Sequence, residues 1–139
     1  MTVVEVHERI RKRLVANVYV DSVIDYVSQK FGVPKEKISI VFEPVIARTV
    51  RPDLVLIYDN TWFVVEFKTR PNPTRDLMLV TRYRQVINEY VKPRKTIPIL
   101  AYVYNAPTQD VLSIANELKP PLVILLLAHG TYRVLYENV

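Results

Sequence analysis

Two runs of alternating, largely β-branched residues meet at Asp59-Asn60, and this junction restricts the fold more than any other feature of the chain. Residues 51–58 and 61–69 are predicted as strands joined by a two-residue turn. Such a turn pairs Tyr58 with Thr61, and counting back along both strands brings Asp53 opposite Glu66. Directly opposed residues project from one face with Cβ atoms about 4.5–5.5 Å apart. Strand alternation puts Glu66 and Lys68 on the same face and turns Phe67 to the other. Two carboxylates this close repel each other unless a cation lies between them. The hairpin register by itself therefore predicts a metal site.

Two carboxylates, a backbone carbonyl such as that of Phe67, and waters make a suitable shell for Mg²⁺ or Mn²⁺. Lys68, beside that ion, is expected to hold and deprotonate an attacking water or to stabilise charge building on a phosphate. Asp53, Glu66 and Lys68 are thus the expected catalytic centre. The apolar run Phe63-Val64-Val65 argues that the strand carrying Glu66 is covered on both faces.

Around the hairpin the periodicities alternate between helix and strand. Val3, Val6, Ile10 and Leu14 recur at helical spacing and predict an amphipathic first helix facing the core. Asp21 is a good N-cap for a second helical stretch, with Val23, Ile24, Val27 and Phe31 on one side and a stop at Gly32-Val33-Pro34. Whether residues 15–20 join or separate the two is left open by the pattern. Residues 38–46 are expected to form a strand before the hairpin. After it come a helix at 74–92, a strand at 96–104, a helix at 107–118, and strands at 121–128 and 132–136. The predicted class is α/β, a mixed sheet flanked by helices, in one domain spanning residues 1–139.

Charge points to the kind of partner. The net charge is +5, and the stretch from Lys68 to Lys95 holds eight basic residues against two acidic ones. Arg70, Arg82 and Lys92 in that stretch are the expected substrate contacts, and a polyanion such as DNA is the expected partner. With no cysteine in the chain, disulfides and thiolate zinc sites are excluded. There is no glycine-rich phosphate loop, paired-histidine motif or nucleophile elbow. The nine tyrosines read as core and strand residues, and their placement in the sequence supports no stacking platform for bases. The longest apolar run, residues 122–128, is far short of the ~20 residues a membrane span needs. A soluble, cytoplasmic protein is expected.

Arg-Pro-Asp at 51–53 followed by Glu-Phe-Lys at 66–68 resembles the PD-(D/E)xK nuclease superfamily, which includes many restriction endonucleases and Holliday-junction resolvases. The resemblance implies a restriction-endonuclease-like core, α-β-β-β-α-β over roughly residues 3–104, here with an α-β-β extension. It implies that Asp53 and Glu66 are metal ligands and Lys68 the catalytic lysine. Family members often add a glutamate from the first helix, for which Glu8 and Glu5 are candidates and His7 a third. Some subfamilies carry Gln-x-x-x-Tyr on the following helix, and of that pattern only Gln85 matches. The implied activity is a Mg²⁺- or Mn²⁺-dependent deoxyribonuclease, more specifically an endonuclease. The alternative is a catalytically inactive DNA-binding or scaffold protein of the same fold. A homodimer is compatible with cutting both strands of a duplex.

Overall fold

The computed structural model describes residues 2–139. Its first element is a single helix, α1 (Val3–Phe31), rather than two. Thr2 caps it, its Oγ1 accepting from the Glu5 N–H at 3.1 Å. Gly32 ends it at φ +67°, the left-handed conformation that glycine adopts without a Cβ penalty. Asp21, expected to begin a second helix, is instead an exposed interior residue of α1. The β-branched residues between 15 and 20 do not break the helix because tertiary packing outweighs their weak intrinsic preference.

The packed side of α1 also differs from expectation. Ala16, Tyr19, Val23 and Val27 are its buried residues, while Val3, Val6, Ile10 and Leu14 are 40–71% exposed. At 100° per residue the apolar stripe of the first four turns lies on the opposite side of the helix from the buried one. Lys12, Glu8 and Glu5 therefore share the sheet-facing side. Ile10→Ser or Leu14→Ser should change the unfolding free energy by no more than about 0.5 kcal/mol, as for other exposed positions. Leu56→Ala, at a fully buried site in the sheet, should cost about 2–5 kcal/mol. Urea denaturation of the three variants checks both values.

A short 3₁₀ turn at Lys35–Lys37 leads into β1 (Ser39–Phe42), which is shorter than the predicted 38–46. Glu43 turns left-handed at φ +47° and Pro44 follows, so the strand ends there. β2 (Leu54–Tyr58) starts after Pro52, which has no N–H to give a ladder. β3 (Thr61–Lys68) completes the hairpin. Its turn residues Asp59 and Asn60 have φ of +47° and +59°, the left-handed pair that a type I′ turn needs. The observed pairs run from Tyr58↔Thr61 to Leu54↔Val65, the register read from the sequence. Then come α2 (Pro73–Tyr90), β4 (Lys95–Val103), α3 (Thr108–Leu118), β5 (Val123–Ala128) and β6 (Thr131–Glu137).

The strands form one mixed α/β sheet in the order β1-β2-β3-β4-β5-β6. The two outer pairings on one side and the last on the other are antiparallel; β3-β4 and β4-β5 are parallel. Leu56, Phe63, Val65, Phe67 and Ala101 meet α1 on one face. Val64, Leu100 and Tyr102 meet Val80, Tyr83 and Ile87 of α2 on the other, with Val111 and Ala115 of α3 beside them. Both faces are covered, as expected of a sheet with a parallel centre. Among the described residues no helix is long and apolar enough to cross a membrane.

Candidate active site

Four buried or half-buried charges gather where β2 begins and β3 ends. Asp53 is 3% exposed and Glu66 is wholly buried. Asp53 stands one residue before the last hairpin pair, so the ladder that ends at Leu54↔Val65 brings it level with Glu66. Each carboxylate has one oxygen tied to the protein. Asp53 Oδ2 accepts the Phe67 N–H at 2.9 Å, and Glu66 Oε1 accepts the Tyr83 hydroxyl at 2.9 Å. The other two oxygens converge on a cation. The Lys12 ammonium of α1 lies 3.4 Å from Glu66 Oε2 and 3.9 Å from Asp53 Oδ1. The positive charge that the hairpin register calls for is thus supplied, in this structure, by a lysine the sequence reading did not single out.

Burial, and then the neighbouring Glu66 carboxylate, push the Asp53 carboxyl up to about 7, against the opposing pull of Lys12, the Phe67 N–H and Lys68. Burial works against the charge on Lys12, but Glu66 and Asp53 outweigh it and hold its pKa above the ordinary lysine value. Burial, then Glu66, raises the Tyr83 phenol above its usual range. Tyr83 therefore remains a hydrogen-bond donor to Glu66 throughout the physiological range.

Lys68 points from the end of β3 toward the same charges, 3.6 Å from Glu66 Oε2 and 3.8 Å from Asp76 Oδ1. Asp76 is 1% exposed. Its Oδ2 accepts from the Asn72 N–H at 2.9 Å and from the Tyr102 hydroxyl at 3.1 Å. Asn72 is the N-cap of α2, so the start of that helix is bolted to β4 through this one carboxylate. Asp76 and Glu66 grip the Lys68 ammonium from two sides and fix its direction. Asp76→Asn keeps a group of the same shape but removes one of those charges. It should lower any turnover that depends on Lys68 by on the order of tenfold, as other orienting partners do, while leaving the melting curve cooperative. Rate assays and thermal denaturation on the same preparation check both.

Asp53, Lys68 and Phe67 line a pocket of about 150 Å³ together with Glu8, Arg11, Lys12 and Arg70. The structure brings Asp53, Glu66, Lys68, the Phe67 backbone, Glu8 and Arg70 to one place. Glu8 also forms an ion pair with Arg11 at 2.7 Å, and Glu5 lines an adjoining groove with Glu8, Lys12 and Asp53. His7 is exposed, on the side of the apolar stripe rather than the sheet. The remaining predicted contacts lie elsewhere. Gln85 and Arg82 line the groove between α2 and α3; Gln85 is two residues, about 200°, around α2 from Tyr83, which is the α2 residue that reaches Glu66. Lys92 is exposed after α2, at the sheet end where β4 begins, opposite the end where β3 delivers Lys68. The basic stretch is therefore dispersed over the molecule, not gathered on one face.

The two inward oxygens form a donor set suited to a hard divalent cation completed by water. Among the described residues, no group of three or more His, Asp or Glu gathers around one point as at a fully protein-ligated metal. Comparison with family models, curated proteins and solved structures returned no match.

Proposed function

We propose that this protein is a metal-dependent deoxyribonuclease that hydrolyses DNA phosphodiester bonds at Asp53, Glu66 and Lys68. One observation carries the reading: the inward oxygens of two buried carboxylates, Asp53 Oδ1 and Glu66 Oε2, converge on one cation position, held here by the Lys12 ammonium, beside Lys68. It is supported by the order α-β-β-β-α-β over α1 to β4, the arrangement of the restriction-endonuclease-like core, and by the Arg-Pro-Asp and Glu-Phe-Lys motifs. Asp53 and Glu66 would hold Mg²⁺ or Mn²⁺, and Glu8 and the Phe67 carbonyl, from residues that line the same pocket, are the further ligands proposed. A divalent cation there supplies Lewis-acid polarisation of the phosphate and makes an attacking water more acidic.

The chain's own groups divide the remaining work. Tyr83 and the Phe67 N–H hold the carboxylates so that one oxygen of each stays turned inward. Lys68, oriented by Asp76, presents a fixed positive charge where the phosphorane-like transition state gathers negative charge, or orients the water that attacks. Lys12 balances the carboxylates before the cation arrives, and Arg70 at the pocket rim is placed to meet a flanking phosphate.

The second reading is a DNA-binding or scaffold protein without turnover, acting in the cytoplasm like the first. The Lys12 ammonium favours it, because two ion pairs already balance the carboxylates without a metal. Incubation with supercoiled, linear, single-stranded and branched DNA separates the two. Cleavage in Mn²⁺ that stops in chelator supports the nuclease; binding without cleavage of any of these substrates supports the second reading.

A further inference from the structure

The sheet end that carries Lys68 also carries an aromatic cluster that phosphodiester chemistry does not use. Tyr104 follows the last residue of β4, and His129 follows the last residue of β5. Their ring centroids lie 5.9 Å apart at 80°. Tyr104 in turn meets Tyr19 of α1 edge-on at 6.1 Å. Tyr19 is buried, whereas Tyr104 is 58% exposed and His129 is exposed. The inner ring anchors the cluster in the core, and the outer two face solvent.

The backbone beneath Tyr104 is unusual. Its φ is +66°, a conformation that bulky side chains rarely adopt. His129 is also left-handed at φ +53°, but there the tight turn with Gly130 at φ +71° requires it. At Tyr104 the demand comes from a three-residue turn, closed around it by the Asn105 N–H and the Val103 carbonyl, a rare and strained form. The Tyr104 N–H is fastened to the Leu127 carbonyl at 2.8 Å, and the Asn105 N–H to that of Val103 at 2.9 Å. A strained residue held this firmly, with its ring mostly in water, gains little from burial, and such outliers cluster where a ligand uses them.

The cluster lies at the same end of the sheet as the candidate site. Lys68 is the register partner of Tyr102, two residues before Tyr104, or about 7 Å along the strand direction. Thr69 and Arg70 extend the pocket from Lys68, and Val15 lines its α1 wall. Tyr19 lies one helical turn beyond Val15 on the same side of α1. Carboxylates, basic rim and exposed rings thus lie at one end of the sheet, where β2 begins and β3, β4 and β5 end.

We propose that Tyr104 and His129 form a stacking platform for the bases next to the scissile phosphate, so that the substrate carries unpaired nucleotides at the cut. The proposal rests on the nuclease reading above and narrows it to single-stranded DNA segments. In a duplex each base face is covered by its neighbours, so a protein ring can stack only on a base that has left the helix. Exposed aromatics beside cationic side chains are the combination that binds single strands with little regard for sequence.

The test is fluorescence anisotropy in chelator, using the full chain with a labelled single-stranded oligonucleotide, its abasic counterpart and a blunt duplex. Wild-type protein should bind the intact single strand about tenfold or more tighter than the abasic one, the margin expected of base stacking on aromatic rings. Tyr104→Ala should lose most of that margin and His129→Ala part of it, with duplex binding unchanged. Tyr104→Phe, which keeps the ring, should retain it. Equal affinity for intact and abasic strands, or an intact-strand affinity unaltered in Tyr104→Ala, overturns the platform. Cleavage in Mn²⁺ is measured in parallel. Cleavage without any preference for bases keeps the nuclease reading and removes the platform. Base-dependent binding without cleavage keeps the platform and removes the nuclease. A protein that binds no DNA removes both.

Discussion

Asp53→Asn is expected to abolish cleavage and, in the metal-free protein, to leave stability at pH 7 level or higher. The asparagine Oδ1 can still accept the Phe67 N–H that Oδ2 of the aspartate now accepts. What disappears is a buried charge opposite another carboxylate, and with it the repulsion. The pH dependence supplies the sign. Burial and Glu66 raise the folded-state Asp53 to about 7, above the value of roughly 3.9 for a free aspartate. Between those two values the folded protein binds a proton that the unfolded chain releases. The stability this lends is fully present below about pH 4 and is lost as pH rises through about 7. Wild-type protein in chelator should therefore lose stability across that window relative to Asp53→Asn, by a few kcal/mol at most given the compensating Lys12. Thermal melts of both proteins from pH 4 to 8 measure the difference. A variant that is clearly less stable than wild type at pH 7 would assign Asp53 to holding the fold.

Lys68→Ala carries the second large effect. The ammonium lies between Glu66 and Asp76 and is half-buried at the end of β3, so its direction is fixed before substrate arrives. Preorganised charge of this kind accelerates phosphate chemistry because no reorganisation is needed at the moment of reaction. Its loss should lower the cleavage rate by on the order of 10²-fold or more. Mn²⁺ affinity should hold or improve, since a cation does not ligate a cation and a competing charge has gone. Gel-based cleavage and calorimetry on one preparation report both quantities. An unchanged rate would make Lys68 a partner of two buried acids and nothing more.

The legible and illegible parts of this chain divide along the range of the forces involved. A two-residue turn fixes every pair in the β2-β3 hairpin, so the approach of Asp53 to Glu66 was available from Asp59-Asn60 and simple counting. The side chains that complete the site come from elements whose facing is set by packing. Val3, Val6, Ile10 and Leu14 looked like a core stripe, yet that part of α1 turns them to solvent. Stepping back from the buried residues Val23, Tyr19 and Ala16 in helical intervals reaches Lys12, Glu8 and Glu5, which is the signal that would have found Lys12. It also sets Glu8 and Glu5, rather than His7, on the side of α1 that faces the sheet. Asp76 is an acid in the first turn of α2, where any acid is favourable to the helix dipole, so its position in the sequence does not mark it as part of the site. Only contact with Tyr102 across the sheet makes it a buried support for Lys68. Gln85 and Tyr83 show the same limit on α2, where two residues of difference decide which side chain meets the carboxylates.

That two buried carboxylates hold a divalent cation is the central claim, and calorimetric titration of Mn²⁺ into metal-free protein tests it most directly. The expected result is stoichiometric binding to the wild type, lost in Glu66→Gln and strengthened in Lys12→Met, where the ammonium no longer competes for the same two oxygens. Absence of binding to the wild type, or binding of equal strength in Glu66→Gln, would contradict it.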